Sequence, residues 1–153
     1  MKCKLTPELS SGDWKDFCSR FHFASTDLPH IQAIYTALLP LVECYAYYSL
    51  DQDLDEVSLS HYAYGFVTLG TGLDELSELY LNHEQIQEAY IVDCISLVLL
   101  SKAYEAFAHV VENQTNLHLA ELSFLGDTYS LDLLPQIYEH LAPDTILLTE
   151  GPM

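Results

Sequence analysis

A lone carboxylate, Asp93, lies inside the apolar run from Tyr90 to Leu100, and no other residue of this chain asks more plainly for a chemical explanation. A carboxylate among aliphatic neighbours costs several kcal/mol unless it is hydrogen-bonded or neutralised. Two roles would satisfy it: a buried hydrogen bond to backbone groups of a facing helix or of the turn at Gly70, or a polar contact at the edge of a ligand cleft. The other candidates are weaker. Seven histidines, at positions 22, 30, 61, 83, 109, 118 and 140, include no HxxH or HxxxH pair, so a zinc or iron site would have to gather its ligands from distant segments. The segment Asp51 to Tyr62 starts like a calcium loop, but its sixth position is Glu56 where the tight turn needs Gly, and its twelfth is Tyr62 where a bidentate Glu belongs. It reads as a solvated acidic hairpin loop. Gly70 and Gly72 precede a helix as in phosphate-binding turns, yet Glu75 stands where the dinucleotide fingerprint has its third glycine. No GxSxG, Walker loop or recognisable Ser, His, Asp order is present, which argues against ordinary hydrolase or kinase chemistry.

Composition narrows the partners. The chain has 153 residues, half of them hydrophobic, with 23 Asp and Glu against five Lys and Arg and a formal net charge of -18. That is enough chain for one core and too little for two ordinary domains, so residues 1–153 are expected to form a single domain with residues 1–26 as an N-terminal arm. Nucleic-acid phosphate would meet almost no cation, and an anionic membrane surface would be repelled, whereas a basic face on another protein would be attracted. No apolar run follows the N-terminal lysines, and the longest apolar stretch is about half the ~20 residues that cross a bilayer. A cytoplasmic location is expected, with Cys3, Cys18, Cys44 and Cys94, none in a CxxC pair, as reduced and mostly buried thiols. The eleven tyrosines read as core and rim packing.

Periodicity then supplies the elements that would position these groups. Residues 1–23 read as an irregular or partly helical arm, with Thr6 and Pro7 as a helix start. Asp27 is expected to cap a helix entering at Leu28 and Pro29, repeating through Ile31, Ile34, Tyr35 and Leu38 and stopping at Pro40. Leu41 to Leu50 and His61 to Leu69 read as an antiparallel pair of strands. A helix with Leu73, Leu76, Leu79 and Tyr80 on its apolar side follows the glycine turn, breaks at Asn82 and His83, and resumes from Glu84 to Glu112 as a long, largely buried helix. Leu117 to Ser123 reads as a strand, Gly126 and Asp127 as a turn, Leu131 to Leu141 as a helix, and Thr145 to Thr149 as a last strand.

The run Val67 to Leu76, the Tyr90 to Ser96 segment with its Asp93, the stretch Tyr104 to Ala108, and the C-terminal Leu131 to Leu141 and Ile146 to Glu150 segments together resemble the activation domain of cobalamin-dependent methionine synthase and its stand-alone relatives. The resemblance covers about residues 61–153. It implies an α+β domain, a twisted, mainly antiparallel sheet flanked by helices. It further implies a module that binds S-adenosylmethionine and docks on a cobalamin-carrying methyltransferase, so that the oxidised cofactor can be reduced and remethylated. Cobalamin would be met only through that partner, electrons would come from a flavodoxin-like protein, and no catalytic residue is implied in this chain. The family's ligand loop has an Arg, three residues, then Gly and Tyr. Here Glu121 takes the Arg position, Leu125 and Gly126 take the next two, and a shifted register keeps Gly126 with Tyr129 as the nearest aromatic. Gly126 and Tyr129 are therefore the ligand-binding candidates.

A carboxylate at Glu121 repels the ligand carboxylate that an Arg would clamp. This departure supports an alternative, a degenerate relative that has lost the small ligand and acts through protein contacts; an acidic decoy for a basic nucleic-acid-binding surface is a third. The sequence also stops at Gly151, Pro152 and Met153, short of the family's further C-terminal segment. A sheet edge left open there would invite pairing with a second copy.

Overall fold

A computed structural model describes residues 1–49 and 64–115. The elements are β1 (Lys2–Lys4), α1 (Ser11–Arg20), α2 (Leu28–Leu38), β2 (Tyr45–Ser49), β3 (Tyr64–Thr68), α3 (Gly72–Asn82) and α4 (Ile86–Thr115), with 3-10 turns at Ser25–Asp27 and Leu39–Leu41. The class is α+β, as expected. Among the described residues the sheet is antiparallel, in the order β1-β2-β3, with Cys3 opposite Ala46 and Ala46 opposite Val67.

The N-terminal residues are not an arm. Leu5, Leu9, Trp14 and Phe17 are buried, and β1 pairs with β2 in the sheet, with the Leu5 N–H donating to the Cys44 carbonyl at 2.9 Å. The helix starts four residues after Pro7 because Ser10 and Asp13 close its first turn: the Asp13 carboxylate accepts from the Ser10 N–H at 2.7 Å and from its hydroxyl at 2.9 Å. That N–H holds the Asp13 carboxyl below its ordinary range, with a further contribution from Lys102 Nζ at 3.0 Å. Asp27 also differs from expectation, since its carboxylate accepts from the Ala24 N–H at 3.1 Å and so closes the 3-10 turn before α2.

Two helices end in the same way, each with a non-glycine residue in the left-handed region. After α1, His22 has φ 62° and the Phe23 N–H returns to the Cys18 carbonyl at 2.9 Å. After α3, Glu84 has φ 61° and the Gln85 N–H returns to the Tyr80 carbonyl at 2.8 Å. Both are Schellman closures, which satisfy orphan carbonyls at the cost of one strained residue. The first seats Phe23 against Phe17, rings stacked 5.8 Å apart. The second reverses the chain from α3 into α4.

Among the described residues the core has two parts. Trp14, Phe17, Ile31, Ile34, Leu38, Leu73, Ile91, Ile95 and Leu99 pack the helices together. Leu5, Cys44, Ala46, Tyr48, Val67, Ala103 and Phe107 pack one face of the sheet against the second half of α4. Tyr47 and Phe66, alternating with those strand residues, are buried too, so the sheet is covered on both faces. Among the described residues, no helix is long and apolar enough to cross a membrane.

Candidate functional site

The site reachable from the sequence is the path from β3 through the glycine turn into the α3–α4 pair. The turn is fastened from several directions. The Gly70 N–H donates to Thr68 Oγ1 at 3.1 Å, and the Glu43 N–H donates to the Leu69 carbonyl at 3.0 Å. Gly70 itself has φ 84°, a conformation that costs a side-chain-bearing residue about 1–2 kcal/mol. A Cβ on Gly72 would stand 2.7 Å from the Leu41 carbonyl oxygen, so the helix can begin there only because the residue has none. The glycines thus serve close packing of α3 on residues 41–43. An anion is further discouraged at this helix start by Asp74 and Glu75 in its first turn.

Asp93 is placed differently from the expected buried hydrogen bond to backbone groups. Its neighbours Val92 and Cys94 are buried, but Asp93 itself is exposed on the outward side of α4. Ser77 on α3, which is buried, donates its hydroxyl to Asp93 Oδ1 at 3.0 Å. The apolar run misled because it winds through every face of the helix: its residues split between a buried side (Ile91, Ile95, Leu99) and an open one (Tyr90, Leu97). The carboxylate therefore latches two antiparallel helices at their rim, and it does so in water.

Cys3, Cys44 and Cys94 are held as poor nucleophiles. Burial pushes Cys44 up to about 11, with Cys3 nearby adding to the rise, and burial raises Cys3 and Cys94 as well. The neighbouring Cys94 is the main cause of the raised Tyr90 phenol. A thiol held protonated is inert toward attack and metal binding. Among the described residues no three His, Cys, Asp or Glu side chains come together as a metal site. His30, on α2, meets Glu88, in the first turn of α4, at 3.3 Å in an exposed pair.

Glu121, Gly126 and Tyr129, the residues of the ligand-loop resemblance, lie outside the described residues, as do the expected acidic hairpin loop, the 117–123 strand and the C-terminal sheet edge. The structure adds an exposed apolar stripe along α4. Its signal was present in the sequence as Ile86, Tyr90, Asp93 and Leu97 at intervals of four, three and four residues. The chain matches no family model and no curated protein.

Proposed function

We propose that this chain is a docking module of the methionine synthase activation type. It attaches to a cobalamin-carrying methyltransferase protein and supports that partner's reductive remethylation, with S-adenosylmethionine held in the loop containing Gly126 and Tyr129. The observation that carries the reading is the order of elements: an antiparallel strand pair, a glycine turn packed on the preceding chain, then two antiparallel helices joined by Ser77 and Asp93. The same order is what the resemblance implies. Chemistry at cobalt would belong to the partner, and this chain would contribute position and charge.

One residue favours a second reading. Glu121 does not fit the carboxylate of S-adenosylmethionine, so the chain on this reading is an interaction module without the small ligand. Titration calorimetry of S-adenosylmethionine into the wild-type chain and into Glu121→Arg separates the two. Saturable heat in the wild type supports the ligand-holding module. Heat only in Glu121→Arg supports the interaction module, and heat in neither removes the ligand loop from the proposal.

A further inference from the structure

The outward face of α4 carries apolar groups where a helix facing water ordinarily carries polar ones. Ile86 is 70 % exposed, Tyr90 47 % and Leu97 54 %. Their spacing puts them in one line, which runs roughly 17 Å along the axis. Leu81, 52 % exposed, follows Ser77 by one turn on α3, and since Ser77 holds Asp93 it lies at the rim of the same stripe. Asp74, on the Ser77 side of α3, and Asp93 add exposed carboxylates beside the apolar line. From Gly72 to Thr115 there are eight carboxylates and one fixed cation, Lys102, which is bound to Asp13. Arg20, which borders Cys94 from α1, lies over the Phe21 ring at 4.9 Å.

Charge decides among the occupants that could cover such a face. Residues 116–153 of this chain carry six carboxylates and no Lys or Arg, and a second copy brings a net charge of -18. Either would set acid against acid, which suppresses association. A helix with an apolar line of its own and basic flanks would fill the stripe with i, i+4, i+7 anchors and neutralise Asp74 and Asp93. We propose that the stripe from Ile86 to Leu97, with Leu81 at its rim, docks an amphipathic helix of a partner protein whose flanks carry Lys and Arg.

The test uses a fluorescently labelled amphipathic helix of leucine and lysine, long enough to span the stripe, titrated with the full chain at low and at physiological salt. Binding is expected to weaken with salt and to fall about tenfold in Leu97→Gln. Leu79→Gln, equally exposed but on the opposite side of α3 from Ser77, is expected to bind as the wild type does. Four results overturn the proposal. Equal losses in the two variants, or equal binding of a leucine–glutamate helix, would show general adhesion. Absent binding with a fall in Tm on Leu97→Gln would show that the chain covers its own stripe. Self-association lost in Leu97→Gln would assign the face to a second copy.

Discussion

From Ala89 to Leu99 the helix α4 packs against other helices with long side chains, Ile91, Val92, Ile95 and Leu99, all fully buried against Trp14, Phe17, Ile31 and Leu38. From Ala103 onward the same helix packs on the sheet, and its buried side chains there are one small and one aromatic: Ala103 in a cluster with Ala46, Cys44 and Val67, and Phe107 edge-on to Tyr48 at 5.2 Å, with Val110 and Val111 partly buried beside them. Helices meeting helices leave gaps of 8–10 Å between axes for branched side chains to fill. Where α4 meets the sheet small Ala103 alternates with the large rings of Phe107 and Tyr48, and polarity enters through the Tyr48 hydroxyl, which donates to Gln114 Oε1 at 2.9 Å. One helix is thus held by volume in its first half and by fit and a terminal hydrogen bond in its second.

That contrast can be broken from each side. Ile95→Ala is expected to cost about 2–5 kcal/mol in urea unfolding, because the surrounding helices cannot close the hole. The opposite change is the damaging one under the sheet. Ala103→Leu is expected to cost about 1–3 kcal/mol by overpacking, and a neutral result would mean that the sheet half has the same slack as a helical interface. Tyr48→Phe keeps the ring and removes one hydrogen bond, so a loss of about 0.5–1.5 kcal/mol is expected, with hydrogen exchange quickening near Gln114.

Two smaller effects sharpen the same picture at the helix ends. Glu84→Gly relieves a left-handed residue and is expected to stabilise the chain by about 0.5–1 kcal/mol, raising the urea midpoint without changing its slope. Asp13 has a lowered carboxyl, so its contribution is present above the unfolded carboxylate range and fades as pH falls through the folded value. Asp13→Asn should therefore lower stability at neutral pH and converge with the wild type in acid. A gap between the two that stays constant with pH would assign the effect to lost shape and not to charge.

Much of the helical half was legible because repetition encodes it. Ile31, Ile34 and Leu38 mark α2, and Leu73, Leu76 and Tyr80 mark α3, at spacings that only a helix places on one face. The sheet half was legible only where β2 and β3 carry aromatic and β-branched residues. The strand β1 reads Lys, Cys, Lys, and its place is set by pairing with a strand more than forty residues away, which no local pattern carries. Asp93 was found by residue type and misplaced by context, since an apolar run longer than one helical turn must show some of itself to water. The stripe it belongs to was visible in the spacing but was absorbed into the expectation of a buried helix.

The central claim, that this chain works by docking, is tested most directly by sedimentation velocity of the full chain mixed with a purified cobalamin-carrying methionine synthase fragment. A complex sedimenting faster than either component, weakened by salt and by Leu97→Gln but not by Leu79→Gln, is the expected result. Independent sedimentation at low salt, with the chain folded and both components at concentrations well above micromolar, would contradict it.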